Sequence, residues 1–265
     1  MKELYERIGM LSEEPMKYSN PNEVFDLPFP SVNQIPPRFS LLDGGKVSFM
    51  GRECFNQVWK TFRIVENNPR QCQAIYLFRG KGLGKSHILA ALMCLLVRKG
   101  TQVVYLPDCR AWLFNPLIYL RNALVFAFIH SEVSLHEEIL DCENLESLAN
   151  FCACYQNWLC FIVDQVNALD SEPKGQDVVP DMNKHLLREL LHRMCAKHIL
   201  ITSASANHKT FQHMAKRDTG EKKVPLMEGM TSVRAGFYAI MLILNFALGR
   251  NGLLVEISWL HGFQQ

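Results

Sequence analysis

The stretch YLFRGKGLGKSH, residues 76–87, decides the fold. The apolar run 74–78 ends in a glycine-rich turn, and Lys85 and Ser86 then open an apolar segment that Gly100 ends. This order predicts a buried strand, a turn and a buried helix. Glycines accept positive φ and leave room for phosphate oxygens, so backbone N–H groups can converge on an anion, and the helix N-terminus adds its partial positive charge. The stretch therefore predicts a phosphate-binding loop.

The residues of this loop have separate predicted roles. Lys85 would reach the β and γ phosphates of a nucleoside triphosphate, with ATP as the expected ligand, and the Ser86 hydroxyl would ligate Mg²⁺. The P-loop pattern GxxxxGK[ST] asks for a glycine where this chain has Arg79, which either crowds the entry or adds a charge beside it. The alternative interpretation is a glycine-rich turn with an incidental lysine. The predicted nucleotide-binding residues are Gly80, Lys81, Gly82, Leu83, Gly84, Lys85, Ser86 and His87.

A second stretch, WLCFIVDQ at residues 158–165, ends an apolar run in Asp164. Ligands of open α/β sheets bind at the carboxyl ends of the strands, so Asp164 is predicted to hold Mg²⁺ through a water, opposite Ser86, like a Walker B aspartate. Its alternative is a helix cap or a turn. We expect the strands that lead to Lys85 and Asp164 to lie side by side.

Gln165 stands where related ATPases usually carry glutamate as the base. An amide cannot accept the proton of an attacking water, although it can orient that water. The sequence therefore predicts hydrolysis that is slow or needs a partner. Lys85, Asp164, Gln165 and Ser203 form the predicted catalytic set.

Other polar residues follow predicted strands. Ser203, with Thr202 and Ser205 behind it, is the candidate sensor of the γ-phosphate, although Ser and Thr also end strands to satisfy turns. Asp108 either faces the nucleotide or caps the next helix, with capping favoured. Asn167 either braces the loop after Asp164 or is a turn residue.

Strands alternate with helices along the chain, which predicts an α/β fold with a parallel sheet covered by helices on both faces. Predicted strands are 74–78, 102–106, 159–163 and 199–202, and predicted helices are 53–62, 85–99, 115–129, 133–155 and 183–195. Six prolines between Pro15 and Pro37 exclude a long helix there and favour an extended leader, residues 1–44, that docks on the P-loop NTPase core, residues 45–210. Residues 211–265 form an atypical C-terminal segment: either a last strand and helix or an altered or truncated lid.

The charge balance limits the partners. Net charge is +2 and the pI near 8.1, so any nucleic-acid contact has to be local. A basic cluster after the fourth strand either contacts phosphates of DNA or RNA or forms a solvated face; it comprises Lys209, Lys216, Arg217, Lys222 and Lys223.

The remaining composition indicates a reducing compartment. The nine cysteines are scattered through apolar stretches without CxxC pairs, which is typical of buried thiols rather than a disulfide framework or a zinc site. No signal peptide is visible, and the longest apolar stretch, residues 235–248, is too short to span a membrane. We expect no membrane partner and a cytoplasmic or nuclear location.

The chain resembles the P-loop ATPase region of Crinkler-type effectors of oomycetes and fungi. The resemblance covers about residues 45–210 and rests on SFMGRECF, YLFRGKGLGKSH, VVYLPDCRAW and FIVDQVNALD, in that order. It implies an AAA-like nucleoside triphosphatase, with roles carried over onto Lys85, Ser86, Asp164 and Gln165. It also implies a secreted effector that acts inside a host cell, often in the nucleus, although the family's targeting header is not visible.

Two functional hypotheses follow. The first is an ATPase that hydrolyses ATP slowly and drives an attached or partner module; the second is a nucleotide-binding switch or scaffold with little hydrolysis. A small-molecule kinase is disfavoured because no basic lid pattern is evident. The sequence does not choose an arginine finger or an oligomeric state; the candidates for the finger are Arg110, Arg121, Arg193 and Arg234.

Overall fold

The computed structural model describes residues 1–67, 74–78, 84–170, 180–204 and 222–225. Most of the predicted phosphate-binding turn lies outside the described residues, and so does most of the segment after the fourth strand. Predicted functional residues outside this part of the chain are Arg79, Gly80, Lys81, Gly82, Leu83, Ser205, Lys209, Lys216, Arg217 and Arg234.

A five-stranded parallel sheet forms the centre of the fold. Its strands are β4 (Ala74–Phe78), β5 (Val103–Leu106), β6 (Cys160–Val163), β7 (Ile199–Ser203) and β8 (Lys222–Pro225). Their order across the sheet is β5-β6-β7-β4-β8, and every pairing is parallel. The four predicted strands are confirmed to within one residue at each end.

One expectation about this sheet is wrong. The strands leading to Lys85 and Asp164, β4 and β6, do not lie side by side, because β7 is inserted between them. Lys222 and Lys223, two members of the predicted basic cluster, belong to the edge strand β8, which pairs with β4. Lysine is common on edge strands, so charge alone does not separate an edge strand from a loop.

Helices cover both faces of the sheet, as predicted. Alternate residues of each strand point to opposite faces, so Ile162 packs with α3 (Glu53–Asn67) and α4 (Lys85–Arg98), whereas Phe161 and Val163 pack with the helices of the other face. Helix α4 is buried nearly all round, as its apolar sequence predicts. The helices are α3 (Glu53–Asn67), α4 (Lys85–Arg98), α5 (Cys109–Phe114), α6 (Pro116–Ala127), α7 (Val133–Asp141), α8 (Leu145–Cys154) and α9 (Asp181–Met194).

The predicted helix 133–155 is two helices rather than one. Asn144 separates α7 from α8, accepting a hydrogen bond from the Ser147 backbone N–H at 2.9 Å while the Ser147 hydroxyl contacts the Asn144 backbone. This reciprocal capping gives the donors of a new helix start their partners, so the chain can change direction there. The apolar periodicity on either side does not reveal the break.

The N-terminal leader docks on the core, but it is only partly extended. It forms α1 (Lys2–Gly9) and α2 (Pro15–Ser19), with Pro15 in the first turn of α2. An antiparallel sheet of order β1-β3-β2 follows, made of β1 (Val24–Pro28), β2 (Leu41–Leu42) and β3 (Lys46–Met50). Tyr18 is fully buried and stacks on Phe55 of α3, with ring centroids 5.3 Å apart. The leader therefore shares one core with β4 and α4.

The cysteine prediction is confirmed for most of the described thiols. Seven of the eight cysteines in the described ranges are buried and all eight are free; Cys154 is exposed. Within those ranges, no helix combines the length and the apolar character needed to cross a bilayer.

A buried histidine ties α8, β6 and β7 together. Leu159 N–H donates to His198 Nδ1 at 3.2 Å, so the other ring nitrogen, Nε2, carries the proton and donates to the Cys152 carbonyl at 2.7 Å. Burial lowers the pKa of His198; the Cys152 carbonyl opposes this decrease and Lys197 adds to it. The fold thus holds His198 as the neutral imidazole.

We predict that His198 makes the fold sensitive to acid. Below the ordinary histidine pKa, the unfolded chain binds a proton at His198 that the folded chain resists. The free energy of unfolding should therefore decrease as the pH is lowered, by at most about 1.4 kcal/mol per pH unit from this group. Urea denaturation between pH 7.5 and 5.5 should show a weaker pH dependence in His198→Asn than in wild type. His185→Asn, at an exposed position of α9, is the control and should keep the wild-type slope. Equal slopes in all three proteins would contradict the prediction.

Candidate functional site

The strand order brings the predicted site residues to one edge of the sheet. Asp164 directly follows β6, Ser203 ends β7, and Lys85 starts α4 beyond β4. Because β7 lies between β6 and β4, the Ser203 side chain stands between the other two elements. The carboxyl ends of these three adjacent parallel strands therefore form a common polar edge.

Asp164 is the buried centre of this edge, with 1% of its surface exposed. Its Oδ1 accepts hydrogen bonds from the Ser203 hydroxyl and from the Gln165 backbone N–H, the latter at 2.8 Å. Its Oδ2 accepts a bond from Arg38 Nη2 at 2.9 Å. A buried carboxylate needs such partners, because an unpaired buried charge is costly. Ser203 thus lies in the site, bonded to Asp164.

Arg38, from the leader, was not predicted and links the two proposed metal ligands. Its Nε donates to Ser86 Oγ at 3.0 Å and its Nη2 to Asp164. Its Nη1 donates to Asp108 Oδ2 at 3.0 Å, and Nη2 also reaches the Pro107 carbonyl. Burial alone would lower the pKa of Arg38, but Asp164 and Asp108 outweigh burial and raise it above its ordinary value. The guanidinium of Arg38 therefore stays protonated and positively charged.

The contacts of Arg38 show that Ser86 and Asp164 are suited to bind a magnesium ion. Ser86 Oγ and Asp164 Oδ2 each accept a hydrogen bond from the same guanidinium, so both oxygens face one cationic group. A hydroxyl and a carboxylate are the hard oxygen ligands that Mg²⁺ takes. The donor set therefore fits the metal that the sequence predicts.

Positive charge surrounds the start of α4. Lys85 is only 9% exposed; burial lowers its pKa, and the negative charge of Asp164 opposes that decrease. Gly84 has a φ of +68°, and a Cβ there would overlap the guanidinium of Arg52, which is itself buried. Burial, Arg52 and Arg38 together lower the pKa of His87 to about 4, so this ring is neutral near pH 7. Three cationic side chains and a helix N-terminus thus favour an anion here.

Asp108 caps a helix and also pairs with Arg38. Its Oδ1 accepts the Arg110 backbone N–H at 2.9 Å and caps α5, which confirms the favoured prediction. Its Oδ2 pairs with Arg38, so the same side chain also contacts the site. Asn167 is buried in the short 3₁₀ helix Val166–Leu169 that follows Asp164, in keeping with the prediction of a turn residue.

Gln165 has an unusual backbone and an unused acceptor. Its φ is +57°, in the left-handed region that residues other than glycine rarely adopt. Its side-chain oxygen is buried and accepts no hydrogen bond from the described part of the chain. Strained backbone of this kind is found at functional sites, where the surrounding contacts hold it.

The arginine-finger candidates do not join this cluster in the described structure. Arg110 is exposed on α5. Arg121 donates to the Cys142 carbonyl, and Arg193 pairs with Glu146 at 2.6 Å. Sequence reasoning instead missed Arg38 and Arg52. Arg52 lies in the quoted stretch SFMGRECF, but no spacing rule links either arginine to residues that follow tens of positions later.

Comparison with known proteins does not assign this chain to a family. No family model and no curated protein sequence matches the chain. A solved structure described as a DNA replication initiation factor is similar, with a TM-score of 0.43, 13% identity and 81% of this chain covered. The chain spans 57% of that structure's length. The α/β architecture, with a parallel sheet between two helical layers as in P-loop NTPases, follows from the topology described above.

We predict that Gly84→Ala destabilises the protein more than Gly100→Ala. Both glycines have positive φ, at +68° and +78°, so alanine at either position should cost about 1 kcal/mol in backbone strain. Only the Cβ at Gly84 meets another group, and it would push the Arg52 guanidinium out of its buried position. Urea denaturation of the two variants should show an additional loss of about 1 kcal/mol for Gly84→Ala. Equal losses would mean that Arg52 yields freely.

Proposed function

We propose that the chain binds ATP together with Mg²⁺ and hydrolyses it slowly. One observation carries the proposal: Ser86 and the buried Asp164 converge on one cationic group, beside Lys85 at the start of a buried helix. Lysine and a helix N-terminus suit phosphate oxygens, whereas the hydroxyl and carboxylate suit a divalent ion. Both halves of a metal–triphosphate complex would therefore find matching groups at one edge of the sheet.

Each residue of the site has a proposed role that follows from its chemistry. Lys85 would bind the β and γ phosphates, in a position where limited exposure strengthens its charge interactions. Ser86 and Asp164 would hold Mg²⁺, which when bound neutralises phosphate charge. Ser203 donates a hydrogen bond to Asp164 and would act as the sensor of the γ-phosphate. Gly80, Lys81, Gly82 and Leu83, which lie outside the described residues, would complete the proposed binding loop.

Gln165 sets the expected rate. Its backbone N–H is bonded to Asp164, which fixes the residue beside the proposed metal ligands, while its side-chain oxygen can accept a hydrogen bond from a water. An amide orients water but does not remove its proton, so Gln165 itself supplies no general base for this step. Slow turnover follows from that chemistry.

A nucleotide-binding switch with little hydrolysis is the second candidate, and Gln165 favours it as well. The arginine-finger candidates in the described structure lie outside the Asp164 cluster, which leaves a finger from a partner molecule as one way to speed turnover. Action as a secreted effector in a host cell, and contacts with nucleic acid, remain predictions from the sequence resemblance and the basic cluster.

We predict that Lys85→Ala weakens ATP binding by roughly 10- to 100-fold, because a charge-assisted contact to phosphate is worth about 1.5–3 kcal/mol. Fluorescence anisotropy with a labelled ATP, in the presence of Mg²⁺, measures the affinity. Lys60→Ala, which removes an exposed lysine of α3, is the matched control and should bind as wild type does. Tight ATP binding that survives Lys85→Ala would refute the proposed site.

We predict that Gln165→Glu accelerates single-turnover ATP hydrolysis by about 10-fold or more, because a carboxylate at this position can act as a general base. Gln165→Ala removes the amide without supplying a base and should not accelerate the reaction. Phosphate release from pre-bound ATP, measured with enzyme in excess, compares the three proteins. No acceleration in Gln165→Glu would sink the proposed reason for slow turnover, and no phosphate release from any of them would favour the switch.

A further inference from the structure

Arg38 holds the position between the two proposed metal ligands. Three nitrogens of one guanidinium contact Ser86, Asp108 and Asp164, and each of these three distances is 2.9–3.0 Å. Ser86 and Asp164 are the residues proposed to bind Mg²⁺, so the arginine and the metal need the same two oxygens. Two positive groups cannot share one carboxylate oxygen and one hydroxyl at close range without strong repulsion.

We propose that Arg38 is a built-in counter-cation that competes with the divalent metal for Ser86 and Asp164. The inference rests on the proposed function, because it concerns the same site. In the absence of metal, Arg38 satisfies the buried carboxylate of Asp164; binding of Mg²⁺ with a nucleotide requires the guanidinium to give up Ser86 and Asp164. The leader thereby sets the Mg²⁺ concentration at which a nucleotide binds together with the metal.

The geometry allows the guanidinium to leave without unfolding the leader. Arg38 is 22% exposed, so its side chain has a path towards solvent. Phe39, the next residue, is buried against Phe29 and the His87 ring, with centroid distances of 4.9 Å to each. These contacts anchor the backbone. Asp108 and the Pro107 carbonyl lie on the β5 side and can keep part of the guanidinium when Ser86 and Asp164 are released.

The surrounding charges give the expected direction. Arg38, Arg52 and Lys85 are positive, and Asp108 and Asp164 are negative. Replacing Arg38 with a neutral residue makes the cluster more negative by one charge and removes the competitor. Divalent-ion affinity should therefore increase on the order of 10-fold, since both changes favour a cation at Ser86 and Asp164.

The test compares metal affinity in wild type, Arg38→Gln, Arg38→Lys and Arg98→Gln. Arg98→Gln is the matched control, because Arg98 also pairs with a carboxylate, that of Glu13 at 2.9 Å, but takes no part in this site. Mn²⁺ replaces Mg²⁺, and electron paramagnetic resonance measures its free concentration without any nucleotide. A second titration follows binding of labelled ATP as the Mg²⁺ concentration rises from zero.

Arg38→Gln should bind Mn²⁺ about 10-fold more tightly than wild type and should need about 10-fold less Mg²⁺ for half-maximal ATP binding. Arg38→Lys keeps the charge but loses the three-way reach of the guanidinium, so it should fall between the two. If thermal unfolding shows that Arg38→Gln does not fold, the Mn²⁺ affinity of Arg38→Lys alone tests the competition. Wild-type Mn²⁺ affinity in both folded variants, or the same increase in Arg98→Gln, overturns the inference. A change in Mn²⁺ affinity without any ATP binding would support the competition and refute the proposed function.

Discussion

The buried carboxylate of Asp164 is the constraint on which the rest of the site depends. With 1% of its surface exposed, it cannot be solvated by water and needs donors from the protein. Three different segments supply them: the leader through Arg38, β7 through Ser203 and its own turn through Gln165. Removing one partner of such a buried charge typically costs about 3–5 kcal/mol, so these segments have to assemble together. The leader is therefore part of the site and not only a cover on the core.

The insertion of β7 between β4 and β6 gives the site a third element. Ser86 enters the site from the helix that follows β4, and Asp164 directly follows β6. The guanidinium of Arg38 hydrogen-bonds to both of them, and the Ser203 hydroxyl, from the intervening strand, donates to the Asp164 carboxylate. The site is therefore assembled from three adjacent strand ends and the leader.

Local sequence patterns predicted what depends on local physics. The apolar strands, the buried α4 helix and the polar residues at strand ends follow from periodicity and glycine placement, and Asp164 and Ser203 lie where those patterns put them. Strand order, the Asn144 break and the role of Arg38 depend on which distant segments meet. Arg38 is 48 residues from Ser86 and 126 from Asp164, and no spacing rule covers such separations. The prolines of the leader indicated that it docks on the core, but they did not indicate that Arg38 contacts Ser86 and Asp164.

Charge balance explains why an arginine, rather than an apolar residue, enters the site from the leader. An apolar side chain at position 38 would leave the carboxylates of Asp108 and Asp164 without the cation that both of them bond, and nearby carboxylates repel each other. A guanidinium can bond both acids and the Ser86 hydroxyl at once because its donors form a planar fork. Such a group stabilises the site without a ligand and yet stays exchangeable, since a divalent ion offers the same oxygens a higher charge. Under the proposed competition, the residue that completes the metal-free site is also the one that a bound metal would have to displace.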